Sequence, residues 1–112
     1  MEIIGTASKV TIYIGESDRH GNKPLYMAIL ELLKAEDCAG ATVVRGLAGF
    51  GAHSRIHTFK IERLSQDLPV IVEIVDTREE LQRYLSAIDP EIHEGLATME
   101  EISVHSYRSR KS

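Results

Sequence analysis

One cysteine, Cys38, stands in a chain of 112 residues. No intramolecular disulfide can form, and no cysteine-rich metal cage is available. A reducing cytoplasm suits such a chain. No apolar run approaches the ~20 residues that a membrane span requires, and Met1 to Lys9 lacks the apolar stretch of a secretory signal. The expectation is a cytoplasmic protein that is not membrane-inserted. Positive charge is also short. Lys and Arg number 13 against 17 Asp and Glu, a formal net charge of −4, whereas general nucleic-acid binding calls for a basic face. No nucleic-acid partner is expected. The Gly-rich segment at Gly46 to Gly51 does not have the Gly-x4-Gly-Lys-Ser/Thr pattern of a phosphate-binding P-loop. Ser54 has no Gly-x-Ser-x-Gly setting.

What is present is an ordinary globular balance, 43% hydrophobic and 27% charged, over a length that predicts one domain, residues 1–112. Val10, Ile12 and Ile14 alternate with Lys9, Thr11 and Tyr13, which is the period of a strand. Glu16 to Asn22 reads as a loop. Asn22 is placed to cap a helix over about Lys23 to Asp37, with Pro24 in its first turn and an apolar stripe of Leu25, Ile29, Leu32 and Leu33. Ala41 to Leu47 reads as a second strand, followed by a long loop or hairpin to Asp67. Leu68 to Val75 is the most continuously apolar stretch and reads as a central strand. Thr77 and Glu80 form a capping box for a helix striped by Leu81, Leu85 and Ile88 and ended by Pro90. Ile102 and Val104 alternate in a last strand, and Tyr107 to Ser112 is a basic tail.

The order is β-α-β-β-α-β. It predicts an α+β, ferredoxin-like fold: an antiparallel four-stranded sheet with both helices on one face. Ile71, Val75, Tyr13 and Thr11 then point to the other face, which has no third layer to cover it. Another subunit is expected there. Glu73, in an otherwise apolar strand, and Asp76, at its end, are read as buried acids paired across that contact.

Five runs resemble a family of uncharacterised PII-like bacterial and archaeal proteins. They are Tyr13-Ile14-Gly15-Glu16, Lys23-Pro24-Leu25-Tyr26, Gly40-Ala41-Thr42-Val43, Arg45-Gly46-Leu47-Ala48-Gly49-Phe50-Gly51 and Leu68-Pro69-Val70. The Gly-Phe-Gly looks like the start of the mobile T-loop that follows strand two in PII nitrogen-regulatory proteins, although it stands further from Thr42-Val43 than in those proteins. The resemblance implies a homotrimer with adenine-nucleotide sites between subunits, made by the loop base, the loop after helix two and basic residues near the C-terminus. Asp89 to Glu100 departs from the glycine-rich, basic loop that PII proteins carry there. The segment from Gly49 to Asp67 contains no tyrosine, so modification of a loop tyrosine there, as in some PII proteins, is excluded.

The site residues that follow are Arg45, Gly46, Gly49, Phe50, Gly51 and Arg108, with ADP or ATP as the ligand. Glycines at a strand end admit positive φ and leave backbone donors open to a phosphate, and the arginine fork pairs with two phosphate oxygens. The bland alternatives are a turn at a strand end and solvated surface charge. Phe50 either meets a base or anchors the loop base in the core, and the second is the expectation. His53 and His57 stand four apart, but in a loop, and no metal site is assigned. The leading reading is a non-catalytic homotrimeric signalling module whose loop orders on ligand binding and then meets a partner protein. The alternatives are a small enzyme acting on a phosphorylated metabolite, with Glu16, His53 or His57 as base, a CutA-like metal-binding trimer, or a trimer without a ligand.

Overall fold

The computed structural model describes residues 2–50, 57–58 and 68–108. Four strands form one antiparallel sheet: β1 (Glu2–Gly15), β2 (Ala41–Arg45), β3 (Pro69–Asp76) and β4 (Leu96–Arg108). They lie in the order β2-β3-β1-β4. Helix α1 (Leu25–Ala35) joins β1 to β2, and α2 (Arg78–Ile88), followed by a short 3₁₀ turn at Asp89–Glu91, leads from β3 to β4. The expected ferredoxin-like architecture is what forms.

Alternation decides which way each strand faces. Val10, Ile12 and Ile14 of β1 and Val70, Val72 and Ile74 of β3 are buried under Leu25, Ile29 and Leu33 of α1 and Leu81, Tyr84 and Ile88 of α2. Register pairs Val10 with Ile74, Ile12 with Val72 and Ile14 with Val70, so the two central strands present one continuous apolar sheet to the helices. The α2 cap is as expected: the Thr77 side chain accepts from the Glu80 N–H at 3.3 Å.

Several boundaries differ from the sequence reading. Helix α1 starts later, with Pro24 as its cap residue and no side-chain cap. Asn22 does not cap it. Instead Arg19–His20 pairs with Lys23–Pro24 in a small hairpin, and the Leu25 N–H donates to the Asp18 carbonyl at 2.8 Å. Strand β2 stops at Arg45, two residues short of the expected Leu47. Strands β1 and β4 are much longer than their apolar alternation suggests. Beyond Ser8, where pairing with β3 ends, Glu2 to Ala7 pair only with β4, through an irregularity between Ile3 and Gly5. Gly5 adopts φ +98° there.

Asp76 corrects the expectation of an intersubunit pair. It is 1% exposed, and among the described residues its three partners lie within the chain. Its carboxylate accepts from the Thr77 N–H at 2.8 Å, the Tyr84 hydroxyl at 3.1 Å and the Ala39 N–H at 3.3 Å. The same Ala39 residue offers its carbonyl to the Tyr107 hydroxyl at 2.8 Å. Burial first, and then the nearby Asp76 charge, push the Tyr84 phenol well above its ordinary range, so it remains a donor at any physiological pH. A raised folded pKa means that stability is retained below about pH 10 and falls as pH climbs beyond it. Burial likewise pushes the Cys38 thiol up, in keeping with a packing role. Glu73 is exposed in the single chain, on the face away from the helices, where the expected contact with another subunit would lie.

Asp76→Ala would leave two backbone N–H groups and a buried hydroxyl without their acceptor, and a loss of about 2–4 kcal/mol is expected. Tyr107→Phe removes one half-buried bond and should cost about 1 kcal/mol. Urea unfolding followed by circular dichroism compares them; equal losses would deny Asp76 its central place.

Candidate ligand site at the loop base

Four connections meet at one end of the sheet, where β1 and β2 finish and β3 and β4 begin. The Gly15–Asp18 turn is closed on itself: the Gly15 N–H donates to the Asp18 carboxylate at 3.0 Å, and the Asp18 N–H to the Gly15 carbonyl at 3.2 Å. Glu16 then donates its N–H to the Leu68 carbonyl at 2.8 Å and accepts Arg45 Nη1 on its side chain at 2.7 Å. Gly95, just before β4, sits against the end of β1, where an added Cβ would lie 2.8 Å from the Tyr13 carbonyl oxygen.

The glycines have a different reason from the one expected. Neither Gly46 nor Gly49 has positive φ. Both lie against the ring of Pro69: an added Cβ would sit 2.7 Å from Pro69 Cγ at Gly46 and 3.0 Å at Gly49. Glycine is required here by close approach, not by a left-handed backbone. The Gly46 N–H is not open to a phosphate, because it donates to the Pro69 carbonyl at 2.7 Å. Ala48–Gly49 pairs with His57–Thr58, so the segment leaves the sheet as a hairpin. Phe50 is 70% exposed, which overturns its reading as a core anchor; Leu47 beside it is exposed too. Gly51 and His53 lie outside the described residues.

Arg45 and the glycines are therefore brought together, and Glu16 and Pro69 join them. Arg108 is not brought there. It pairs with Glu2 at the far end of the 13-residue β4, on the opposite edge of the sheet from β2. Along the strand this is a separation of about 40 Å at ~3.3 Å per residue. Among the described residues no three His, Cys, Asp or Glu side chains converge as a metal site would need.

Pro69 was within the resemblance but carried no role in the sequence reading. Its signal is a proline at the first position of a central strand, where a missing N–H is tolerated. Glu16 was considered only as a base; its ion pair joins residues 29 apart and has no local signature.

The comparisons bear on this arrangement. A model of the family DUF190, described as uncharacterized ACR, COG1993, matches residues 7–104. The chain belongs to the DUF190 family. It is 39% identical over 93 residues to a UPF0166 protein of Aquifex aeolicus (strain VF5), covering 83% of this chain and 88% of that one. A UPF0166 protein of Methanocaldococcus jannaschii is 40% identical over 79 residues, 70% and 72% of the two chains. Among solved structures, CPII, a nitrogen regulatory PII-like protein from Thiomonas intermedia K12 bound to ADP, AMP and bicarbonate, superposes with TM-score 0.67. It is 20% identical and 88% of each chain is covered; at that identity the likeness establishes the fold. The fold of this DUF190 member is thus PII-like, with the Gly-rich hairpin leaving the end of β2. No helix among its described residues is long and apolar enough to cross a membrane.

Gly46→Ala should cost about 1–3 kcal/mol, because its methyl group meets a ring held in a strand. Pro69→Ala in the same chain should recover most of that loss. Thermal or urea unfolding of the two single variants and the double variant checks it. The same loss with and without the proline would mean that the ring is not what Gly46 accommodates.

Proposed function

We propose that this protein is a PII-like homotrimeric signalling module. It takes an adenine nucleotide, ADP or ATP, at the loop base between subunits, and nucleotide binding changes the order of the segment beyond Phe50, which a partner protein then reads. The observation that carries this reading is the loop base itself. It is a Gly-rich hairpin packed on Pro69, with an arginine beside it, on the fold that CPII shows with ADP and AMP bound.

Two features of the geometry support a site between copies. Arg45 and Arg108 lie on opposite edges of one sheet, so both can reach one phosphate chain only if the second comes from a neighbouring copy. Phe50 is exposed beside the glycines, which leaves an aromatic face for a base or for the neighbour. Arg45 is held by Glu16 at 2.7 Å. A phosphate would have to draw it away or share it, so charge neutralisation at this ion pair opposes binding and gives the ligand something to switch. A regulator uses such an exchange without chemistry. An enzyme acting on a phosphorylated metabolite needs a base in addition; of the three candidates the Glu16 carboxylate is occupied by Arg45, and the side chains of His53 and His57 lie outside the described residues.

Isothermal titration with ADP, ATP and cyclic nucleotides, joined to a hydrolysis assay, tests the reading. Heat without turnover is expected for ADP or ATP. Arg45→Ala should weaken binding about tenfold, the scale of one charge-assisted contact, and flatten its salt dependence. Turnover would favour the enzyme, and no heat from any nucleotide would leave a glycine-rich turn and retire the nucleotide.

A further inference from the structure

The helix side of the domain carries a cleft of about 340 Å³ that takes no part in the loop base. Three elements line it. One is the small hairpin of Arg19–His20 and Lys23–Pro24. It is fixed at its base by the Leu25 N–H on the Asp18 carbonyl at 2.8 Å, and at its tip by Arg19 Nη2 on the Asn22 carbonyl at 2.6 Å. The others are α1 and the end of α2 with its 3₁₀ turn. The floor is apolar, made by Ala28 and Leu32 of α1 and Ile88 of α2; Ala28 and Leu32 stand four apart and so share one flank of the helix. Two pairs cross the rim. His20 Nδ1 meets the Glu91 carboxylate, and Lys23 Nζ meets Glu31 Oε1 at 2.6 Å.

We propose that this cleft binds a free aliphatic α-amino acid, held as its zwitterion. Donors and acceptors are sorted by wall. His20 and Lys23 are cross-strand partners in the hairpin, so two N–H donors stand together. Glu31 belongs to α1 and Glu91 to the 3₁₀ turn, so both acceptors belong to the helical wall. This arrangement fits a molecule that carries a carboxylate and an ammonium group on one carbon. The carboxylate takes the hairpin donors, the ammonium takes the two glutamates, and the side chain lies on Ala28, Leu32 and Ile88. Simpler ligands fit less well. A plain carboxylic acid brings a third anion beside Glu31 and Glu91, and a plain amine brings a second cation to Lys23.

The resident pairs do not prevent this. All four side chains are partly exposed, and exposed pairs contribute little to stability. Lys23 and Glu31 end flexible stems that swing apart without moving the backbone. A zwitterion set between the walls gives each group a new partner of opposite character, so none is left unpaired. What it adds is the covering of the apolar floor and charge-assisted bonds at both of its ends. Glycine, with no side chain for the floor, gains only the second. The inference rests on no part of the nucleotide reading, because the cleft shares none of the residues assigned to that site.

Isothermal titration of the full chain with L-leucine and L-isoleucine, beside leucinamide, 4-methylpentanoate and glycine, is the test. Heat is expected from leucine or isoleucine. Leucinamide lacks the carboxylate, 4-methylpentanoate the ammonium and glycine the side chain, and each should bind about tenfold more weakly or worse, the scale of one charge-assisted or apolar contact. Lys23→Met combined with Glu31→Gln removes one pair as a unit and should weaken leucine binding about tenfold or more. Ala28→Leu fills the floor without touching a charge and should abolish the heat. Far-UV circular dichroism checks that both variants fold. No heat from leucine or isoleucine at millimolar concentration overturns the inference and leaves the nucleotide reading untouched. Leucinamide or 4-methylpentanoate binding as tightly as leucine also overturns it, as does a folded Ala28→Leu variant that keeps the parent's affinity.

Discussion

A buried carboxylate with no cation beside it is expensive unless hydrogen-bond donors surround it. At Asp76 the donors come from three places at once: the Thr77 backbone at the start of α2, the Tyr84 ring in the middle of α2 and the Ala39 backbone between α1 and β2. The central strand is thereby tied to both crossovers. Ala39 extends the tie, since its carbonyl receives Tyr107 from the far end of β4. Arg83 adds a second tie between the helices: it bonds Glu80 at 2.9 Å and Glu36 beyond the end of α1, and lies over the Tyr84 ring at 4.9 Å. This end of the sheet is fixed by hydrogen bonds that are mostly buried or half-buried, and such networks lose more than one contact when one member is removed.

The opposite end is held differently. Its ties among the described residues include the backbone bonds to Leu68 and Pro69, the closed Gly15–Asp18 turn, the half-exposed Arg45–Glu16 pair and the close approach of two glycines to a proline ring. The ion pair is not costly to rearrange on its own, because surface pairs contribute about 0–1 kcal/mol. Sections of low local stability are where ligand-linked motion is drawn from. The division between a fixed end and an adjustable end is what a ligand-responsive module needs.

How much of this was legible follows from where burial is one-sided. Val10, Ile12, Ile14 and Val70, Val72, Ile74 were readable because one face of each strand is packed and the alternation is clean. The outer halves of β1 and β4 were not, because those residues pair mainly with each other in a ribbon where neither face need be apolar. The two acids of β3 hold the clearest lesson. Asp76 shares the parity of Val70, Val72 and Ile74, and so points into the domain; Glu73 has the opposite parity and points out. Treating Asp76 as an interface acid ignored a period of two that had already been used for its neighbours. The loop base was found by its glycines, but the reason for them was a contact with Pro69, twenty and more residues away in sequence, which no local pattern reports.

The site residues chosen from the sequence pose a geometric question that the single chain answers in one way only. Arg45 ends the edge strand β2, and Arg108 ends the opposite edge strand β4 at the other end of the sheet. A sheet tied at one end by Asp76 and packed against two helices cannot fold over to join them. If both arginines serve one anion, the second must belong to another copy, and the site then exists only in the assembly. Nucleotide affinity and oligomer affinity would be linked, since a ligand held by two subunits stabilises their association by the same free energy that association lends to binding. Whatever strengthens the covering of the open sheet face would strengthen the ligand site at its rim. The apolar row nearest the loop base, Val44, Ile71, Tyr13 and Leu96, is where those two effects meet. It lies on the open face of the sheet, and it ends, through Val44, one residue from Arg45.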